Sequence, residues 1–281
     1  MIIFKSMKKS LLFLLMCIPG FGYAQYLYTV QPFFSYFKDW DRYEVGGNGA
    51  IMLGEYHGAV PVYNGASFLG DTTIKRSMVS QPGFGGTIGL SIPVARIGHI
   101  STAAVSVHLM YNMYEWQNLN ATYSYEGNSF VNVKPPLNAM TTQICLPVSF
   151  DYKVGTDAIL TKRLRFGATV GGGLMPEYNS TALENAKGFN ATSNFTASPF
   201  FKLEGAVFAG ICIKLRLQVS YGSLSLMSVN KPVGTTTDGP FQLSGSANAV
   251  ATLIFMPFSM KWGETGWWNT HDTYNPYDKL N

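Results

Sequence analysis

The chain is short of charge. Of its 281 residues only 13% are Asp, Glu, Lys or Arg, against 47% hydrophobic and 14% aromatic, where a soluble domain carries about a quarter charged residues. It also lacks long apolar runs. Beyond the first 25 residues no stretch reaches the ~18 continuous apolar residues of a membrane helix, which excludes a helical bundle. Cysteine is scarce: Cys17, Cys145 and Cys212 make no disulfide framework. Four histidines scattered at His57, His99, His108 and His271 give no metal-ligand spacing. The aromatic content excludes disorder, and what remains is a β-protein that hides apolar surface without long apolar runs.

The first 24 residues read as an export signal. Lys8 and Lys9 precede Leu11-Leu12-Phe13-Leu14-Leu15-Met16, and Gly22-Tyr23-Ala24 supplies small residues for cleavage before Gln25. Met7 serves equally well as the start. Met16 ahead of Cys17 argues against a lipobox. The leader holds Lys5, Lys8 and Lys9 and no acid, leaving 17 basic against 16 acidic residues in the mature chain. The sequence pI of 8.8 is therefore largely a property of the leader. No basic patch points to nucleic acid.

What is present is period-2 alternation. In 101–114, Ala103, Val105, Val107, Leu109, Tyr111 and Met113 share one face and Ser106, His108, Asn112 and Tyr114 the other. In 211–221, Ile213, Leu215, Leu217, Val219 and Tyr221 oppose Cys212, Lys214, Arg216, Gln218 and Ser220. The segment 141–154 alternates in the same way. The pattern predicts strands at 45–55, 82–94, 100–116, 138–153, 163–175, 198–208, 212–226 and 241–256, joined by 26, 5, 21, 9, 22, 3 and 14 residues. Long and short connections alternate, as they do when short periplasmic turns face long external loops. This separates a barrel from a soluble sandwich, which alternates too. The expected fold is all-β: a transmembrane antiparallel up-and-down β-barrel of eight strands, or of ten if 26–37 and 59–69 add a pair.

An eight-stranded barrel is just wide enough to be filled by its own side chains. The predicted lumen holds Asp151, Lys153, Arg165, Lys202, Glu204, Lys214 and Arg216. If Phe208 lies opposite Cys212 across the Ala209-Gly210-Ile211 turn, Glu204 faces Arg216. One permitted register sets Asp151 opposite Arg165. Buried charges are tolerated when matched, so these residues, Lys202 and Lys214 included, are read as a salt-bridged plug. Gly171-Gly172-Gly173 is read as a place where side chains must be small rather than as a phosphate loop. His108 and His57 form no Ser-His-acid constellation, so no catalytic, metal or cofactor site is expected. The four Asn-X-Thr/Ser sequons at Asn120, Asn179, Asn190 and Asn194 are read as loop composition.

The ends are aromatic. Residues 25–44 include Tyr26, Tyr28, Phe33, Phe34, Tyr36, Phe37, Trp40 and Tyr43, and 259–281 include Trp262, Trp267, Trp268, Tyr274 and Tyr277. With the barrel at 45–258, both segments fall on the periplasmic side. They either dock a protein partner, as Tyr and Trp do at interfaces, or cap the barrel mouth.

Thr142-Gln143-Ile144-Cys145-Leu146-Pro147-Val148-Ser149-Phe150-Asp151-Tyr152-Lys153 resembles a strand of small Gram-negative outer-membrane barrels of the PorT-like and OmpA-like-barrel group. Arg165-Phe166-Gly167-Ala168-Thr169-Val170-Gly171-Gly172-Gly173 resembles the Gly-rich strand that follows it there. The resemblance covers about 138–256. It implies an integral outer-membrane protein embedded in lipid, in some members an accessory of secretion or gliding machinery, and carries over no catalytic residue. The reading is thus a non-enzymatic structural or adaptor subunit of an envelope complex. The alternatives are a surface barrel whose loops at 56–81 and 176–197 engage an external ligand, and a small-solute porin.

Overall fold

The computed structural model describes residues 42–64, 67–97, 99–119, 137–183, 191–229 and 240–262. Ten strand segments run in chain order: β1 (Tyr43–Asn64), β2 (Ser67–Val79), β3 (Gln81–Arg96), β4 (Ser101–Trp116), β5 (Ala139–Cys145), β6 (Val148–Gly155), β7 (Phe166–Leu183), β8 (Ala191–Phe208), β9 (Cys212–Val229) and β10 (Phe241–Met256). All pairings are antiparallel, and β10 pairs with β1 from Val45↔Phe255 upward. The sheet therefore closes on itself.

The ten segments make eight staves. β2 and β3 are one stave broken at Ser80, because both pair with β1, Leu53 to Val79 and Ala50 to Gly83. Ser80 repairs the break itself: its N–H donates to the Met52 carbonyl, and its hydroxyl accepts from the Met52 N–H. β5 and β6 form the second composite stave, interrupted at Leu146-Pro147, since both pair with β4 and β7. Proline cannot donate to a ladder. Here the Leu146 N–H donates to the Pro176 carbonyl and the His108 N–H to the Pro147 carbonyl, so the sheet stays joined across the break. The ring has eight staves. Residues 59–64 and 67–69, expected as part of an added pair, are instead the tip of the first hairpin; residues 26–37 lie outside the described residues.

The strands are longer than the alternation predicted. β1 has 22 residues and β7, β8 and β9 have 18 each, where about 9–11 cross a bilayer. Most of the expected loops 56–81 and 176–197 are thus hairpin, β1–β2 and β7–β8, continuing beyond the apolar belt. Polar composition hid them, since a strand above a membrane has no lipid face to alternate against. At the opposite end the connections are short, at 97–100, 156–165 and 209–211, and both described chain ends lie there.

The outer face is apolar. On β9, Leu215, Leu217, Val219 and Tyr221 are exposed while Lys214, Arg216, Gln218 and Ser220 are buried. The same parity holds on β10, where Leu253 and Phe255 point out and Thr252 and Ile254 point in. An apolar outside with a backbone paired all the way round is the arrangement hydrocarbon demands. On β4, Tyr111 faces outward, whereas Tyr114 and Trp116 are buried inside.

Leu217 sits at the middle of its outward row. Leu217→Lys is expected to lower stability in micelles by about 2–4 kcal/mol, the cost of a basic residue at the midplane. A urea titration followed by gel mobility measures it.

Candidate functional site

The lumen is the strongest candidate for a site, and it has two storeys. At the end holding the chain termini, charged and ionisable side chains from five staves converge. β1 contributes Glu44, β4 His108, β6 Asp151 and Lys153, β8 Lys202 and Glu204, and β9 Lys214 and Arg216. Asp157 joins them from α1 (Thr156–Ile159), a four-residue helix folded into the β6–β7 connection with Thr156, Asp157 and Ala158 buried. The Thr102 hydroxyl donates to the Ala158 carbonyl at 3.1 Å and holds this turn against the wall.

Glu44 is the hub. One carboxylate oxygen lies 2.7 Å from Lys214 Nζ, the other 2.8 Å from Arg216 Nη2 and 2.9 Å from His108 Nε2. Lys214 continues to Asp157 at 2.8 Å. Arg216 Nε donates to Glu204 at 2.6 Å, and Lys202 bridges Glu204 at 3.3 Å and Asp151 at 2.9 Å. Lys153 lies 3.4 Å from Asp157. Glu44, Asp151, Asp157 and Glu204 thus stand against Lys153, Lys202, Lys214 and Arg216, and the formal charges cancel. Such a cluster is stable only when complete, because a lone charge left in a dry interior costs several kcal/mol.

The β8–β9 register is the one that the turn implied: Glu204 pairs with Arg216 and Phe208 with Cys212. Arg165 is a correction. Asp151 is opposite Gly171, and Arg165 lies exposed just before β7, outside the lumen. Strand β7 starts three residues later than predicted, so Asp151 takes Lys202 as its cation. The glycine is part of the site, since a Cβ at Gly171 would meet Asp151 Oδ1 at 2.1 Å. Glu44 escaped the sequence reading because the strand, which begins at Tyr43, was started two residues late at 45, although Glu44 shares the parity of Asn48 and Met52. Asp157 gave no signal, since it lies in a turn.

Above the ions lies a layer of hydrogen bonds among amides and hydroxyls that ends on one carboxylate. Asn48 Nδ2 donates to Asn112 at 3.0 Å, and Thr252 donates to Asn48 at 2.9 Å. Tyr114 and Asn248 both donate to Gln143 Oε1. Gln143 and Ser198 in turn donate to the buried carboxylate of Glu177. Beyond this the lumen is apolar, packed with Met52, Tyr56, Met110, Trp116, Leu226 and Leu243 among others. The salt-bridged plug expected of the lumen thus occupies its lower half.

The mouth at the terminus end is sealed. The 3-10 turn Pro257–Lys261 follows β10 directly, and the Cys212 N–H donates to Ser259 Oγ at 2.7 Å. Trp262 is buried and stacks on Phe208 at 5.8 Å, beside Leu160, Met256 and Cys212. Of the residues expected to dock a partner, Trp262 is therefore a cap on the barrel itself. Trp267, Trp268, Tyr274 and Tyr277 lie outside the described residues. Lys202, Lys214 and Arg216 are each 1% exposed. His57 stands exposed on the first hairpin, far in sequence register from His108, and no cluster of His, Cys, Asp or Glu fit for a metal occurs among the described residues.

Glu44→Ala is expected to lose about 3–5 kcal/mol, the cost of breaking a buried ion network. Arg165→Ala should stay within about 0.5 kcal/mol, as exposed positions do. Glu204→Ala/Arg216→Ala together should cost less than the sum of the single losses, since each single change strands a charge. Denaturation midpoints of the folded, faster-migrating species measure all five variants, the two single changes at Glu204 and Arg216 included.

No family model and no curated protein matches the chain. Among solved structures it is similar to Neisserial surface protein A, at 12% identity over 74% of this chain and 95% of that one, with a TM-score of 0.31. It is similar too to the outer membrane protease OmpT of Escherichia coli, at 8% identity over 77% and 97%, with a TM-score of 0.37. The N-terminal β-barrel domain of Pseudomonas aeruginosa OprF aligns at 12% identity over 75% and 98%, with a TM-score of 0.27. No residue or role carries over from them. By its own pairing of first strand with last and its apolar outer face, this chain is an antiparallel up-and-down β-barrel of the transmembrane kind.

Proposed function

We propose that the chain is an integral outer-membrane barrel of the cell envelope that neither conducts solutes nor catalyses a reaction, and that works by presenting its outer hairpins for recognition. The supporting observation is the contrast between its two ends. The terminus end, which the short connections assign to the periplasm, is shut by the ion network and by Trp262. The other end carries β1–β2 and β7–β8 well past the belt, on strands stiffened by pairing. The exposed pair Glu55–Lys75, 3.1 Å apart on β1 and β2, stands where the lipid-facing residues give way to polar ones.

This favours the surface-binding reading over the porin, whose pore the buried cations block. An adaptor role at the periplasmic face, in secretion or gliding, rests on the segments 25–41 and 263–281. It loses Trp262 as a contact but keeps the four aromatics that follow.

The test is binding of cells displaying the protein to arrayed glycans and extracellular-matrix proteins. Replacing 59–73 with a two-residue turn should abolish binding to the recognised component while membrane insertion persists; deleting 263–281 should leave it intact. The reverse pattern, binding lost with the tail and kept without the hairpin, would contradict the surface reading and favour the adaptor. In planar bilayers the purified barrel is expected to give no stepwise conductance.

A further inference from the structure

Surface charge differs between the two ends of the barrel. At the outer end acids and bases mix, with Glu55 and Glu115 standing beside Lys75 and Arg76. At the terminus end Glu44 and Asp157 are buried in the ion network. Among the described residues there, every exposed charge is basic: Arg96, Lys162, Arg163 and Arg165. The four share one arc of the rim. Arg96 ends β3, opposite Thr102 of β4, and the other three lead into β7. β4 pairs with β6 and β6 with β7, so these staves are consecutive. Their turns touch, since the Gly155 N–H donates to the Ile100 carbonyl at 2.8 Å. Further round the rim, the Ala209-Gly210-Ile211 turn carries no charge.

The arc is held in shape from within. Leu160 is buried against Trp262 and Met256, and Thr161 is buried beside it in the chain. The Thr156 hydroxyl donates to the Thr161 carbonyl at 2.9 Å, and the Arg163 N–H donates to Thr161 Oγ1 at 3.3 Å. The Phe208 N–H donates to the Arg165 carbonyl at 2.8 Å. A backbone already fixed in this way loses little further freedom when its side chains engage a ligand. Apolar residues stand among the basic ones. Val94, Ile97 and Ile100 are exposed around the first turn, and Phe166, next to Arg165, is 72% exposed. Val94 continues the outward row of Ile88 on β3, and Phe166 begins the outward row of Val170 on β7.

We propose that this basic arc binds the anionic headgroups of phospholipids in the periplasmic leaflet. The occupant follows from height and charge. Val94 and Phe166 are the last lipid-facing positions of their strands, so the basic side chains beside them stand at the edge of the hydrocarbon, where headgroups lie. Lys and Arg at that level attract anionic lipid, and their methylene stems lie along apolar surface while the charge reaches the polar layer. An Arg guanidinium meets a phosphate with two parallel N–H bonds. A single sign of charge favours anionic heads over zwitterionic ones. This inference rests on the membrane placement above but not on what the outer hairpins bind.

The experiment places the full chain in phosphatidylcholine bilayers with a trace of spin-labelled phosphatidylglycerol or spin-labelled phosphatidylcholine. Electron paramagnetic resonance then gives the fraction of each label slowed at the protein surface. Wild type should favour phosphatidylglycerol by roughly fivefold, what one Lys or Arg contributes at an anionic surface, and added salt should weaken the preference. Lys162→Gln/Arg163→Gln/Arg165→Gln should bring the two labels near parity. Arg163→Lys/Arg165→Lys, which keeps the charge, should keep most of the preference, and Lys75→Gln at the outer end should leave it unchanged. Heat-modifiable gel mobility verifies the fold of each variant. Equal association of both labels with wild type overturns the proposal and leaves the membrane barrel standing, as does a preference that survives the triple change or disappears with Lys75→Gln. If the triple change instead releases a cross-linked protein while the lipid preference persists, the arc serves a protein partner and the lipid proposal is overturned. If neither label is slowed by wild type, the membrane placement falls together with the proposal.

Discussion

A backbone N–H or C=O left unpaired in hydrocarbon costs several kcal/mol, and this constraint shapes almost everything in the molecule. It requires β10 to return to β1. It explains why Ser80 turns its hydroxyl toward the Met52 N–H where a stave is broken, and why Leu146 and Pro147 still bond to their neighbours where β5 gives way to β6. At both breaks a side chain or a shifted carbonyl replaces the missing ladder bond.

Closing a sheet of eight staves creates an interior that side chains must fill, and this chain fills it in two ways. The lower half is held by charges that need one another, with Glu44 touching three basic groups and Lys214 touching two acids. The upper half is held by apolar packing in which Trp116 crosses toward Gly54, leaving no room for a Cβ there. The two halves differ in what they permit. An ion network loses much of its stability when any member leaves, so it makes a fixed floor. An apolar compartment rich in methionine rearranges at lower cost, so the same barrel combines a rigid base with an adaptable top.

Much of this was legible in the sequence, because a lipid-exposed strand writes its geometry in alternate residues. Ile213, Leu215, Leu217 and Val219 against Lys214, Arg216 and Gln218 fixed the facing of β9, and the three-residue turn before it fixed the register that brings Glu204 to Arg216. The parts that were hidden lack that imprint. Arg165 was drawn into the lumen because Gly-rich β7 offers few side chains by which to place its start. Asp157 lies on a turn, where alternation has no meaning. The hairpins beyond the membrane pass through polar residues and were read as loops. Nor does parity distinguish an ionic from an apolar interior position, so the upper storey, built from Met52, Met110 and Leu226, was visible only once the staves were assembled.

The most direct test of the closed, lipid-facing cylinder is a spin-label accessibility scan along residues 213–221 of β9 in bilayers, one cysteine at a time. Labels at 213, 215, 217, 219 and 221 should relax strongly with oxygen and weakly with a water-soluble nickel chelate, while those at 214, 216, 218 and 220 should be shielded from both. Strong nickel relaxation at the odd positions would mean that they face water, and the barrel described here would not be a membrane one.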